Sequence, residues 1–404
     1  MESTGDNSEN IAEDQPESWE NSAEDVVSTH SRKHPFDPLG KDHLILEVLG
    51  QGTFGQVVKC YNSKNDTFEA VKILKSHADV ITLADREVRI LKRLQCLDPE
   101  KSHIVKFNNF FFDKEGICLS FEPLDLDLFT YIYDVKGPPL NRGLALSEVR
   151  AITHQLATAL HHLRTIDIIH GDIKPNNIMV VNRQEEPLKV KLGDFSTAQF
   201  CGNIDSNISP RTSCYSSPEV LLNCPFDEAI DMWSLGITLV VAALGTSFIP
   251  HNNTYDMLKF IINIMGQPPD HVLDNGSTTQ DFFNEDINTN PKWTIKTVEQ
   301  YEQETGTTAL RYLDEGISFD DIKDEIISNI GAQSGVDLFL DLIQKMLDVD
   351  PEKRIMPLEV LLHPFFAVTE EKTEKDMGLS DQSSCFCREE EEDQARFKDI
   401  PMTH

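Results

Sequence analysis

The hydrophobic period of this chain changes once. Up to Leu124, apolar residues come in short, β-branched segments separated by Gly, Asn and Asp: HLILEVLG, GQVVKCYN and FEAVKILK, then HIVKFNNFFF and GICLSFEPL. Segments of this kind read as strands. One helical stretch interrupts them: LADREVRILKRLQ has Leu83, Val88, Leu91 and Leu94 at helical spacing. Beyond Leu124 the period becomes helical. LSEVRAITHQLATALHHLRTID places Val149, Ile152, Leu156, Leu160 and Leu163 on one face, with Ser147 positioned to cap its start. FDEAIDMWSLGITLVVAAL is more uniformly apolar and reads as a buried helix, while GVDLFLDLIQKMLDVDPEKR and MPLEVLLHPFF read as amphipathic ones. The expected class is α+β. Residues 39–124 form a small antiparallel sheet with one helix, residues 125–368 a larger, mainly helical part, and the cleft between them is where ligands sit.

Composition matters mostly at the two ends. Residues 1–38 and 369–404 are acidic and poor in apolar side chains, so they bury too little to offset their ordering entropy and read as disordered tails. The net charge of −32 repels phosphate backbones and anionic lipids, which argues against direct nucleic acid or membrane binding. It suits a basic protein partner, although the same acid also serves simply to solvate the tails. Leu235–Leu244 is the longest tight apolar run, about half of the roughly 20 residues a membrane helix needs. The N-terminal residues lack the apolar stretch of a secretory signal. Eight scattered cysteines without zinc spacing fit the reduced thiols of an intracellular protein.

The chemistry lies in a few widely spaced segments. In GQGTFGQVVK, Gly50, Gly52 and Gly55 let a backbone approach phosphates and turn its N–H groups toward them. The loop joins two strands, which disfavours a dinucleotide-binding turn, where a strand leads into a helix. Val57 follows at the place of an adenine-facing residue. Lys72, on the next strand, sits in an apolar setting and needs a counter-charge, which Glu87 on the following helix can supply. In IIHGDIKPNNIMVV, Asp172 is suited to accept or orient a hydroxyl proton, Lys174 to neutralise a transferring phosphoryl group and Asn177 to ligate a metal. A polar turn between two strands would contain the same residue types. KLGDFSTAQ then adds Asp194, a second oxygen ligand of the kind magnesium takes beside phosphate. A phosphate cradle, cations, metal-bridging oxygens and a nucleophile-orienting group are the inventory of phosphoryl transfer.

The order G-x-G-x-x-G-x-V, A-V-K, Glu87, H-G-D-x-K-x-x-N, D-F-S, S-P-E and D-M-W-S-x-G, over roughly residues 44–366, resembles the eukaryotic protein kinase set. FDEAIDMWSLG, KWTIKTVEQYEQETG and LHPFF are similar to the CMGC group, above all to the homeodomain-interacting protein kinases and their dual-specificity tyrosine-regulated relatives. The resemblance implies a bilobal fold and transfer of the ATP γ-phosphoryl group to Ser/Thr hydroxyls of proteins. It implies Lys72, Glu87, Asp172 and Lys174 as catalytic residues, and Mg2+ held by Asn177 and Asp194. ATP would be bound by Leu49, Gly50, Gln51, Gly52, Thr53, Phe54, Gly55, Gln56 and Val57, with Ala70, Lys72, the gatekeeper Phe121 and the hinge residues Glu122 and Leu124. Asp231 would brace the catalytic loop and Glu219 would pair with Arg354. Protein substrates, transcriptional regulators among them, a monomer, and a nuclear or cytoplasmic location follow from the same likeness.

Several positions depart from that pattern. Gly171 stands where an arginine is usual, a change the family tolerates. Ser196 replaces the glycine of D-F-G, and a serine enters some backbone conformations only at a cost. Ser217 replaces the alanine of A-P-E. Ser209 falls where the family has an activating tyrosine, and Ser216 where it has an arginine linked to proline preference. These changes imply a constitutively arranged or weak kinase without a tyrosine switch. They also keep open an alternative, an ATP-binding pseudokinase scaffold. A small-molecule kinase is disfavoured by S-P-E and D-M-W-S-x-G.

Overall fold

The computed structural model describes residues 33–367, apart from 53–54, 76–77, 115, 137–142, 203, 205–213 and 332–334. Strands β1 (Pro38–Leu39), β2 (His43–Gly52), β3 (Gly55–Asn62), β4 (Thr67–Lys75), β5 (Phe107–Asp113) and β6 (Gly116–Phe121) form one antiparallel sheet in the order β1-β2-β3-β4-β6-β5. Helix α1 (Ala78–Leu94) connects β4 to β5. Alternation along β4 sorts the faces of the sheet. Val71 and Ile73 join a small core with Ile45, Val58, Cys60 and Cys118, so Ala70 and Lys72 point the other way. The registers Val57↔Lys72 and Ala70↔Phe121 then place Val57, Ala70, Lys72 and Phe121 on one face.

The chain after Phe121 supplies the opposing part. Strand β7 (Leu126–Asp127) pairs with β9 (Ile178–Asn182), which pairs with β10 (Glu186–Leu192). Strand β8 (Ile168–Ile169) pairs with β11 (Gln199–Phe200). These ladders fix the ends of two short segments, His170–Asn177 and Gly193–Ala198, and so place them side by side. Helices α2 (Leu128–Thr130), α3 (Leu146–Thr165), α4 (Pro218–Leu221), α5 (Ala229–Leu244) and α6 (Thr254–Met265) follow in chain order. All five residues expected on the apolar face of α3 are buried. Its start differs from the expectation. Ala145, not Ser147, is the N-cap, and the Glu148 carboxylate accepts from the Ala145 N–H at 2.9 Å. A carboxylate one turn in satisfies that amide and favours the positive end of the helix, leaving Ser147 inside the first turn.

Helix α5 is the buried helix its composition implies: every residue except Ser234 is buried. Its Trp233 ring lies 5.3 Å from the Arg354 guanidinium. Among the described residues, no helix is long and apolar enough to cross a membrane. The described cysteines are free thiols, and burial pushes those of Cys60, Cys118 and Cys224 up to about 12.

Candidate active site

Lys72 ties three elements together. Its Nζ lies 2.7 Å from Glu87 Oε1 on α1 and 3.0 Å from Asp194 Oδ1, just after β10. Burial alone would lower the Lys72 pKa, but the two carboxylates overrule it and hold the ammonium charged well above its ordinary range. Burial likewise pushes the Asp194 carboxyl up, and the Lys72 charge pulls it well below the usual carboxylate range. Glu87 is shifted upward by its own burial, against the pull of Lys72. The expected partner of Lys72 is therefore present, and a second carboxylate, from across the cleft, joins it.

The residues of the segment His170–Asn177 are held by a buried scaffold. Both backbone amides at its start donate to Asp231 on α5: His170 N to Oδ2 at 2.7 Å and Gly171 N to Oδ1 at 2.8 Å. The Asp172 amide donates to His170 Nδ1 at 3.2 Å, so the ring proton sits on Nε2, which donates to the Gly193 carbonyl at 2.9 Å. Gly171 has φ 76, a left-handed position where glycine costs nothing. Asp172 Oδ2 receives Lys174 Nζ at 2.8 Å and Asn177 Nδ2 at 3.0 Å. Asn177 Nδ2 also donates to the Asp172 carbonyl at 2.7 Å, which commits the amide nitrogen and leaves its Oδ1 as a free oxygen donor.

That donor set fits a hard divalent cation. Asn177 offers an amide oxygen. Asp194 keeps 40% of its side chain exposed, and its Oδ1 takes both Lys72 and the Ser196 amide, while Oδ2 has no hydrogen-bond partner among the described residues. An amide oxygen and a carboxylate with an exposed side are ligands that magnesium accepts when phosphate and water complete its shell.

The glycine loop is the turn between β2 and β3, with Gly52 opposite Gly55. A Cβ on Gly55 would lie 1.9 Å from the Ile73 carbonyl, so strand packing alone requires glycine there. A Cβ on Gly50 would meet nothing within 4 Å. Leu49 and Gln51 are exposed, and Val57 and Ala70 are half-buried on the Lys72 face. Gln56 is turned away, its Nε2 donating to the Lys33 carbonyl at 3.2 Å. Thr53, Phe54 and Ser209 lie outside the described residues. Phe121 packs on Phe107, ring centroids 5.6 Å apart, and Leu124 packs against the main core.

Ser196 does not carry the strain that replacing a glycine suggests. The left-handed residue of this turn is Asp194, at φ 52, and Ser196 is not among the positive-φ positions. Farther along, Arg354 makes a bidentate, fully buried pair with Glu219 at 2.6 and 3.0 Å and also donates to the Ala229 carbonyl at 2.9 Å. The expected Glu219–Arg354 pair is therefore present, and the bond to Ala229 also ties the S-P-E turn to α5.

Sequence reasoning missed two supports. Thr197 Oγ1 donates to the His170 carbonyl at 3.1 Å, joining the two short segments. Lys191, 1% exposed, donates to both Glu122 oxygens at 2.8 and 2.9 Å and to Glu100 at 2.6 Å. Glu122 N also donates to the Lys106 carbonyl, so its carbonyl, not its carboxylate or amide, is left for a ligand. The signal was present in LKVKLGD: two lysines alternating with apolar residues on a strand need buried partners or solvent.

Comparison with known proteins agrees with this geometry. The protein kinase domain family matches residues 44–366. Homeodomain-interacting protein kinase 2 of Mus musculus is 36% identical over 339 residues, 80% of this chain and 28% of that protein. Homeodomain-interacting protein kinase 1 of Caenorhabditis elegans is 34% identical over 349 residues, 82% of this chain and 41% of that protein. Homeodomain-interacting protein kinase 4 of Mus musculus is 33% identical over 346 residues, 80% of this chain and 55% of that protein. The chain thus spans between 28% and 55% of the length of these relatives. With the family match extending over the whole bilobal region and the motif residues drawn into one cleft, this chain belongs to the protein kinase family, and within it resembles the homeodomain-interacting kinases of the CMGC group.

Proposed function

We propose that the protein transfers the γ-phosphoryl group of ATP to serine and threonine hydroxyls of other proteins. The observation that carries this reading is the Lys72 ammonium, bonded at once to Glu87 and Asp194 across the cleft. Such a bridge costs a buried desolvated charge, and a nucleotide triphosphate between the two parts gives it a use. In this reading Lys72 orients the α- and β-phosphates and Glu87 holds Lys72. The turn between β2 and β3, with Gly50 uncovered, lies over the phosphates. Ala70, Val57 and Phe121 wall the adenine, which meets the main chain of Glu122 and Leu124. Asn177 and Asp194 would hold magnesium, which would supply positive charge against the phosphates.

Asp172 accepts the hydrogen bond of the substrate hydroxyl and takes its proton as the oxygen–phosphorus bond forms. The bond from the γ-phosphorus to the β-bridging oxygen breaks, and ADP leaves with that electron pair. Lys174, parked on Asp172 at 2.8 Å, is close enough to turn to the transferring phosphoryl. Positioning and electrostatics supply the catalysis, since loose phosphoryl transfer needs little covalent help.

The substrates are proteins, with transcriptional regulators favoured by the relatives' names, and the acidic chain, at −32, favours basic ones. The scaffold reading drew on Ser196 and on the altered 209–217 stretch; Ser196 has no positive φ, which weakens the first of these supports. Incubation with Mg-ATP and an array of Ser, Thr and Tyr peptides, followed by phosphoamino-acid separation, tests the reading. Phosphoserine and phosphothreonine are expected. Label confined to tyrosine, or none on any peptide under conditions where ATP is bound, would contradict it.

A further inference from the structure

Helix α1 holds the cleft through two consecutive residues. Glu87 holds Lys72. Arg86, the residue before it, reaches from the same turn to the segment after β10, where its Nη2 donates to the Ser196 carbonyl at 3.1 Å. The acceptor is main chain, so this bond senses the conformation of residue 196. Phe195, one residue earlier, is buried with its ring 4.9 Å from His170, edge to face. Thr197, one residue later, bonds the His170 carbonyl. The turn 194–197 is thus pinned on both sides, to α1 by Arg86 and to the catalytic loop by Phe195 and Thr197.

Ser196 adds to the pin. Rearrangements that need a positive φ at residue 196 are open to glycine and costly for serine. Gly171 bears on the same point. It leaves the catalytic loop without a cation at that position, so a phosphate on the following segment has no arginine there to order it.

We propose that Arg86 is a positioning residue that latches the Asp194–Thr197 turn to α1, keeping Asp194 and Lys72 in working geometry without phosphorylation of the chain. The latch builds on the phosphoryl-transfer reading but makes a separate claim, because it concerns what orders the turn.

The test compares wild type, Arg86→Gln, Arg86→Lys and Ser196→Gly, each treated with phosphatase to a single unphosphorylated mass. Wild type is expected to keep its kcat after treatment. Arg86→Gln is expected to lose about tenfold to a hundredfold in kcat, the scale on which misplaced catalytic groups act. Its affinity for magnesium-free ADP should stay near wild type, and Arg86→Lys should recover part of the loss. Ser196→Gly should lose activity on dephosphorylation where wild type does not. Hydrogen exchange reads the latch independently of turnover and of the fate of any one variant. Arg86→Gln, or Ser196→Gly if the former does not fold, should speed exchange at the amides of 195–198. Wild-type kcat collapsing on dephosphorylation, or unchanged exchange in the variant, would overturn the latch. A wild type without transfer activity but with slow exchange at 195–198 would contradict the transfer reading and leave the latch standing.

Discussion

Ser217 shows how a single atom can sit at odds with its surroundings. It is the N-cap of α4 but makes no side-chain cap bond, and its Oγ is buried without a hydrogen-bond partner among the described residues. A buried unpaired hydroxyl costs about 1–3 kcal/mol, and here no capping bond offsets it. Ser217→Ala should therefore stabilise the protein, raising Tm by about 2 °C in calorimetry. A fall in Tm would mean the hydroxyl has a partner after all. At the same scale, what was legible in the sequence depended on separation. Lys72 announced its need for a carboxylate because its own strand is apolar, and Glu87 was near enough in sequence to nominate. Lys191 with Glu122, and Arg86 with Ser196, are 69 and 110 residues apart. Nothing local marks such pairs, because they are chosen by tertiary placement. Ser147 misled for the opposite reason: two local caps competed, and the Glu148 carboxylate, reaching back to Ala145, won.

Among elements, the loop between α1 and β5 is one whose stability should respond to pH. Its His103 sits in the left-handed region at φ 52, and Leu192 N on β10 donates to its carbonyl at 2.8 Å. Burial lowers the His103 pKa below its ordinary value, and His154, Lys189 and Lys191 add repulsion. Its Nδ1 is buried without a partner. A depressed histidine contributes stability that is present above the unfolded value and is lost as pH falls through and below it. Tm should thus drop between about pH 7.5 and about pH 5.5, the range in which histidine titrates. His103→Asn, whose side chain tolerates a positive φ, should flatten part of that drop. His161 and His162, also depressed by burial, should keep the rest. Identical pH profiles for the two proteins would show that His103 is not a source of the drop. Helix α5 was read from its uniformly apolar composition, whereas strands β2 to β6 and helices α1 and α3 were legible from period, because each buries one face along its length. The short ladders β7–β9 and β8–β11 were not. With two residues in β7, in β8 and in β11, they have no period to read, yet they place the segments that carry Asp172 and Asp194.

For the molecule as a whole, the hydrophobic period changes near Leu124, and Lys72, from before that change, meets Asp194, from after it. That meeting is the central claim: Lys72 from the sheet and Asp172, Asn177 and Asp194 from the helical part form one phosphoryl-transfer centre. The most direct test is single-turnover transfer from γ-labelled ATP with magnesium to a basic protein acceptor. Wild type is compared with Asp172→Asn, and nucleotide affinity is measured on the same preparations. The account predicts that Asp172→Asn slows transfer by about 10²- to 10⁴-fold, the range for a positioned acid–base group, with ATP affinity nearly unchanged. Equal transfer rates in the two proteins, or a wild type that binds ATP and transfers nothing, would contradict it.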